Sequence, residues 1–379
     1  MVTRVIQCLR KGKFPFQIKL LQSRADCSFW DSVQGFYAMA TTEQIIGPYV
    51  LGRCLGHGGF GSVYEATHQE TGQRVAVKVL HGTQELEPEV QRRFVREIAL
   101  LKRFDHENIV RVIEAGIHEG SIYCAMELVE CGTLREVLTA RWRLPWREAA
   151  EVAVQTCRAL DHAHRRGCIH RDLKPTNLYL SEDGFVKLGD LGLARDLNDS
   201  RLTTSGQTVG TWRYMPPEQI RGEDDIDGRL DLYALGCILF EMVSGQVPFE
   251  GPDFAAIFEQ HLENTPPRLD VVVGNCPTEL ADLVDKLLEK SPQDRPASAG
   301  EVAEALECML SGTTSASALH HATAVKTDFA GDLVAPVANL TERLHGGPIA
   351  EDGDLTRRVL ALCAAALAVI LGIALAMNR

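Results

Sequence analysis

Three things are missing from this chain of 379 residues. Its 11 cysteines, an odd number spread from Cys8 to Cys363, contain no C-x-x-C pair. Neither a thiolate zinc site nor a disulfide framework is therefore indicated, and a reducing compartment is expected. Positive charge is not in surplus: 39 Lys plus Arg against 51 Asp plus Glu leaves −12, which argues against general attraction to nucleic acid phosphates. No long apolar run follows the basic N-terminal residues, so a secretory signal is not expected. What is present, 45% hydrophobic and 24% charged residues, is the composition of a globular protein and excludes wholesale disorder or a coiled-coil rod. At about 150 residues per domain the length suits two ordinary domains or one large two-lobed one.

Composition divides the chain. Residues 1–48 read as a basic arm, with Arg4, Arg10, Lys11, Lys13, Lys19 and Arg24 against Asp26 and Asp31, and Met39 offers an alternative start within it. From Tyr49 to Leu128 alternating or β-branched runs predict strands at Tyr49–Leu55, Gly61–Thr67, Arg74–Leu80, Val110–Ile117 and Ser121–Leu128. One helix, Glu87–Arg103, is expected among them, with Val90, Phe94, Ile98 and Leu101 as its apolar stripe. Beyond Leu134 the pattern turns helical, most clearly at Trp146–Arg165, Leu230–Ser244, Asp253–Leu262, Thr278–Glu289 and Ala299–Leu310. Residues 311–358, rich in Ser, Thr, Ala and Gly, read as a flexible linker. The uncharged stretch 359–377 would span roughly 28 Å as a helix, close to a bilayer's hydrocarbon thickness, and is expected to be a transmembrane helix flanked by Arg357 and Arg358.

The run Leu55, Gly56, His57, Gly58, Gly59, Phe60, Gly61, Ser62, Val63 is a G-x-G-x-x-G-x-V between two expected strands. A dinucleotide fold would place a helix directly after the glycines, whereas Val63 to Thr67 reads as strand. Glycines let backbone approach phosphate oxygens, with Phe60 as a cap at the tip. Further on, Val75-Ala76-Val77-Lys78 sets a lysine in an apolar strand, where it needs a counter-ion, and Glu97 on the following helix is the obvious one. The segments His170-Arg171-Asp172-Leu173-Lys174-Pro175-Thr176-Asn177 and Leu188-Gly189-Asp190-Leu191-Gly192 then concentrate acids and amides.

In this order and spacing, from about Tyr49 to Leu310, these motifs resemble the eukaryotic-type protein kinases, and in particular the bacterial eukaryotic-like serine/threonine kinases. The resemblance implies an α+β, bilobal fold over 49–310: a small β-rich lobe with one main helix, and a larger helical lobe. It implies that Lys78, fixed by Glu97, holds the α- and β-phosphates of ATP under the loop 55–63, and that Asn177 and Asp190 ligate magnesium, with manganese as a substitute. Asp172 would orient the substrate hydroxyl and accept its proton, and Lys174 would neutralise charge on the transferring group. Met126 stands at the gatekeeper position, with Ala76, Glu127 and Val129 around adenine. Glu218 is expected to pair with Arg295, Asp231 to cap a helix and bind the catalytic-loop backbone, and His170 to be a packed core residue.

Protein substrates are implied, with autophosphorylation at Thr203 or Thr204, a cytoplasmic kinase domain on a single-pass cell-membrane anchor, and no nucleic acid partner. The stripe Ala364, Ala368, Gly372 and Ala376 suggests a homodimer. A membrane-anchored pseudokinase scaffold is the alternative. Three residues depart from the family pattern: Leu191 for phenylalanine, Pro216 in Pro216-Pro217-Glu218, and Tyr179 where an aliphatic residue usually lies under adenine.

Overall fold

The alternating residues before Leu128 do build strands. The computed structural model describes residues 44–58, 61–191, 211–312 and 340–345. Six strands, β1 (Ile45–Ile46), β2 (Tyr49–Gly58), β3 (Gly61–His68), β4 (Arg74–Leu80), β5 (Val112–His118) and β6 (Ser121–Met126), form one antiparallel sheet in the order β1-β2-β3-β4-β6-β5. Period-two alternation sends Val75 and Val77 of β4 to one face, where they pack with Tyr49, Leu51, Ala66 and Tyr123. Leu80 faces the other way, against Ile122, Cys124 and helix α1 (Pro88–Leu100). Lys78 shares that second face by the same alternation, which aims it at the cleft. Pairing starts four residues earlier than the sequence suggests, since β1 lies inside the expected basic arm and buries Ile46.

Helix α1 begins with Pro88 at its first position, where a missing N–H costs nothing. The stripe needs one correction. Phe94 and Ile98 are buried, but Val90 is 37% exposed and Gln91 takes the inward place, its amide donating to the carbonyls of Thr83 at 2.6 Å and Gly120 at 3.0 Å. At 3.6 residues per turn, positions 90 and 91 flank the face of 94, 98 and 101 on opposite sides, so the period alone does not choose between them. Sequence hydrophobicity alone favoured the wrong residue.

The large lobe comprises α2 (Leu134–Arg141), α3 (Trp146–His164), the hairpin β7 (Leu178–Leu180) and β8 (Val186–Leu188), α4 (Pro217–Arg221), α5 (Arg229–Ser244), α6 (Phe254–Glu263), α7 (Leu269–Val272), α8 (Thr278–Leu287) and α9 (Ala299–Ser311). Helix α5 is buried at every residue from Leu230 to Ser244, the mark of a central post rather than a surface helix. Thr133, Asp253 and Ser298 cap α2, α6 and α9 by accepting the amides of Glu136, Ala256 and Glu301.

The expected flexible linker is also corrected in part. Residues 340–345 form a short helix, α10 (Leu340–His345), whose Leu340 and Leu344 are fully buried in the large-lobe core. Among the described residues no helix is long and apolar enough to cross a membrane. The stretch 359–377, the rest of the linker, the arm before residue 44, and Gly59, Phe60, Thr203 and Thr204 lie outside the described residues.

Candidate active site

Between the lobes lies a cavity of about 930 Å³, and the sequence motifs meet in it. Its roof is the β2–β3 hairpin with Leu55, Gly56, His57, Gly58, Gly61, Val63 and, from β4, Ala76. The hairpin continues into a strand, as the sequence required, with Gly58 opposite Gly61. Gly61 has a steric reason to be glycine: a Cβ there would stand 2.5 Å from the Val79 carbonyl oxygen of the neighbouring strand. Ser62 does not line the cavity. Its hydroxyl lies 2.9 Å from both His57 Nδ1 and His81 Nε2, and Cys54 Sγ lies 3.3 Å from His57 Nε2, so a polar chain joins β2, β3 and the end of β4.

The back wall is Met126, and the segment connecting the lobes follows with Glu127 and Val129. Glu127 donates its amide to the Arg111 carbonyl at 2.9 Å, and its side chain accepts the Arg111 amide and pairs with Lys187 of β8 at 2.9 Å. The floor is Tyr179, whose ring lies so close to Gly189 that a Cβ at 189 would come within 2.5 Å of it. The aromatic residue at this unusual position is therefore matched by a glycine just past the next strand.

The catalytic loop is shaped from below. Asp231 on α5 accepts the His170 amide through Oδ2 and the Arg171 amide through Oδ1, each at 2.9 Å, and Oδ2 also accepts His164 Nε2 at 2.7 Å. Burial pushes the Asp231 carboxyl up, but the His164 hydrogen bond and charge, with His170, outweigh it and hold the group below its ordinary range. Helix capping, expected of Asp231, is not its role: it lies in the first turn of α5, at the third residue, and spends its oxygens on the loop. These bonds secure Arg171 at φ 66, a left-handed conformation that a non-glycine residue keeps only when its surroundings impose it. His170 is fully buried, as expected. Its Nε2 donates to the Gly189 carbonyl at 2.9 Å while Nδ1 accepts the Asp172 amide at 3.2 Å, which together define one tautomer.

On this frame sit the candidate reacting groups. Lys174 Nζ donates to Asp172 Oδ2 at 2.8 Å. The Asn177 amide donates to the Asp172 carbonyl at 2.8 Å, which assigns its Nδ2 to the loop and turns Oδ1 elsewhere. Lys78, 7% exposed, donates to Asp190 Oδ1 at 2.6 Å. The expected counter-ion Glu97 lies on α1, with its side chain outside the described residues, so the described partner of Lys78 is Asp190. Burial pushes the Asp190 carboxyl up, yet Lys78, with His170 and Lys174, holds it below the ordinary carboxylate range. Leu191 is buried behind it, filling the stack between lobes.

Asp190 and the Asn177 amide oxygen form a hard, all-oxygen donor set, which suits a magnesium ion that completes its shell with phosphate and water. No cluster of three or more His, Cys, Asp or Glu that could hold a metal ion occurs among the described residues.

Several participants escaped the sequence reading. Arg135 of α2 and Tyr214 both bond Glu241 of α5, with Arg135 Nη1 at 2.8 Å and the tyrosine hydroxyl at 2.6 Å, and Arg135 also donates to Tyr214. Glu241 was findable: it is a single charge inside the apolar run Ile238-Leu239-Phe240-Glu241-Met242-Val243, where it needs a partner. Gln219 donates to the Arg171 carbonyl at 3.1 Å and ties α4 to the loop. The expected Glu218–Arg295 pair is present and bidentate at 2.7 and 2.9 Å.

Known proteins share this sequence pattern and fold. A family model described as protein kinase domain matches residues 49–308. A probable serine/threonine-protein kinase of Clostridium perfringens is 35% identical over 261 residues, covering 68% of this chain and 38% of that one. Serine/threonine-protein kinase PknH of Mycobacterium tuberculosis is 36% identical over 267 residues, covering 70% of this chain and 42% of its own. The chain thus spans less than half the length of these curated relatives. Among solved structures, the kinase domain of PknI from Mycobacterium tuberculosis superposes with a TM-score of 0.57 at 28% identity, covering 72% of this chain and 99% of that one. The motifs, the cleft they line and the family match together place this chain in the protein kinase domain family, among relatives named serine/threonine-protein kinases.

Proposed function

We propose that the chain transfers the γ-phosphoryl group of ATP to serine or threonine hydroxyls of proteins. One observation carries this: Asp172 and Lys174 in contact at 2.8 Å, in the same cavity as Lys78, Asn177 and Asp190. Phosphoryl transfer through a loose transition state asks mainly for positioning and for charge on the spread-out oxygens. Adenine is held between Ala76 and Tyr179, and its polar edge meets the backbone of Glu127 and Val129. Lys78 binds the α- and β-phosphates. Asp172 orients the incoming hydroxyl and takes its proton, while Lys174 offsets charge on the transferring group. Magnesium, held by Asn177 and Asp190, supplies charge neutralisation on the phosphates when bound.

The pseudokinase alternative is disfavoured because Lys78, Glu97, Asp172, Lys174, Asn177 and Asp190 are all present in the chain. The deciding experiment is labelled-phosphate incorporation by wild type, Lys78→Met and Asp172→Ala. Loss of orders of magnitude with retained cooperative unfolding is expected, and either variant keeping more than about a tenth of wild-type rate contradicts the assignment.

Three further proposals concern the rest of the chain. Arg171, next to the catalytic Asp172, suits a phosphorylated activation segment, with Thr203 or Thr204 as the autophosphorylation sites. The apolar stretch 359–377 anchors the chain in a membrane with the kinase domain on the cytoplasmic side, where ATP is found. Its small-residue stripe, Ala364 to Ala376, pairs two copies and favours phosphorylation in trans. Gly372→Leu is expected to lower cross-linking in native membranes without changing insertion.

A further inference from the structure

Helix α10 lies outside the family domain, which ends at residue 308. It is nevertheless fastened to the large lobe at several points. Leu340 and Leu344, one turn apart, are both fully buried. Thr341 Oγ1 donates to the Ser181 carbonyl at 2.7 Å, and His345 Nε2 meets the Cys131 carbonyl at 2.7 Å. Arg343 pairs with Glu151 of α3, and its carbonyl accepts Arg141 Nη1 from α2 at 2.7 Å. Arg141 itself is buried and pairs with Glu148 at 2.8 Å.

Two of these bonds fall on a particular piece of backbone. Cys131 donates its amide to the Leu180 carbonyl at 3.2 Å, Leu180 donates to the Gly132 carbonyl at 2.9 Å, and Thr133 bridges Tyr179. The segment after the hinge and strand β7 thus form a small ladder, with Gly132, Thr133 and Tyr179 lining the nucleotide cavity. Helix α10 stitches both rails of that ladder from the side away from the cavity, His345 on one and Thr341 on the other.

We propose that residues 340–345 are a releasable strap whose Thr341 and His345 are positioning residues for the nucleotide site. Docked, the strap fixes the spacing between the hinge segment and Tyr179, and so the slot that receives adenine. Pulled away by the chain that follows it, the strap loosens that floor and weakens nucleotide binding. The phosphoryl-transfer groups, which are held separately by Asp231, are untouched. A force or a partner acting on the tail thereby gains a route to the kinase that bypasses the activation segment. This inference rests on the kinase reading above.

The test uses the full chain with Thr341→Val, His345→Ala, the double variant and Thr341→Ser. Affinity for a fluorescent ATP analogue, KM for ATP, kcat, and amide hydrogen exchange over residues 131–133 and 179–181 are measured. Each single loss is expected to weaken analogue binding and raise KM about fivefold, the usual effect of one net hydrogen bond. The double variant should weaken both further, with kcat within twofold of wild type, faster exchange in both segments, and Thr341→Ser restored to wild-type values. Unchanged affinity and KM in the double variant overturn the proposal, as does a fall in kcat equal to the rise in KM. A wild-type chain that binds the analogue but transfers no phosphate removes the kinase reading while the binding and exchange arms still decide the strap. A wild-type chain that does not bind the analogue overturns both.

Discussion

Arg295 has no exposed side-chain surface, and its guanidinium meets a Glu218 carboxylate that is almost as deeply buried. The remaining donors go to the carbonyls of Glu289, Arg229 and Lys290, and Tyr233 lies under the guanidinium plane, 4.8 Å away. A charge so enclosed is tolerable only while its partner stays. Glu218→Gln should therefore destabilise the large lobe by about 3–5 kcal/mol, read as a lowered urea midpoint. Arg295→Lys should not be mild, because an ammonium cannot reproduce the fork. A loss of stability below about 1 kcal/mol for Glu218→Gln would show that the pair is not holding α4 to the lobe.

His261 is a second residue whose environment has a measurable sign. It is fully buried, its Nδ1 lies 2.8 Å from the Tyr233 hydroxyl, and burial, with Lys290 nearby, pushes its pKa down to about 3. The unfolded chain binds a proton at this group near pH 6.5 and the folded one does not, so unfolding takes up a proton between those values. Its contribution is complete above about pH 6.5 and is lost as pH falls toward 3, with a slope of at most about 1.4 kcal/mol per pH unit. His261→Gln should flatten the stability profile between pH 6 and 4 relative to wild type, as measured by urea unfolding at each pH. Parallel profiles would refute the neutral buried imidazole.

At the scale of elements, the glycine-rich hairpin gives the sharpest test. Gly61→Ala sets a methyl against the Val79 carbonyl, a backbone atom that cannot swing aside. It should raise KM for ATP by roughly tenfold or more through displacement of the β2–β3 roof, since misplacement of about 1 Å is worth large factors in a positioning site. Gly72→Ala, where a Cβ meets nothing within 4 Å but φ is +68, is the comparison that separates backbone strain from clash. If the two substitutions affect KM equally, the steric account of Gly61 is wrong.

The elements also mark what the sequence could say. The β2–β3 hairpin, helix α5 and the motif residues that meet in the cavity were legible because their signal is local: period two, a mostly apolar run, and acids at fixed spacing. Strand β1 was not, because two residues carry no periodicity and owe their strand to pairing with Tyr49 and Val50. Gln91 was passed over for Val90 because a polar side chain in a helix stripe is stabilised by carbonyls that arrive from other segments, Thr83 and Gly120. Helix α10 was hidden in a stretch of linker composition, where Leu340 and Leu344 become meaningful only once a groove is there to receive them. Lys78 was correctly seen to need an anion, but spacing along one helix could not reveal that Asp190, 112 residues away, lies within reach.

At the scale of the molecule, the two lobes are joined across the cavity by the Lys78–Asp190 pair and beside it by Glu127–Lys187. A nucleotide that binds only the folded cleft stabilises the protein by mass action, about 2.7 kcal/mol at a hundred times its Kd. For a domain of this size that is a rise in Tm of roughly 5–10 °C. Wild type with ATP and magnesium should show it, and Lys78→Met should show much less. No shift in wild type at millimolar ATP would mean that the cleft does not bind nucleotide.

Asp231 stands 61 residues beyond His170 and 60 beyond Arg171, the two amides it gathers. A chain emerging from the ribosome as far as Asp190 already contains Lys78, Asp172, Lys174, Asn177 and Asp190, but not the carboxylate that bends their loop into its left-handed shape. Synthesis therefore delivers the loop before its anchor: a chain stopped anywhere before α5 is expected to lack the two bonds that hold Arg171 in its left-handed turn.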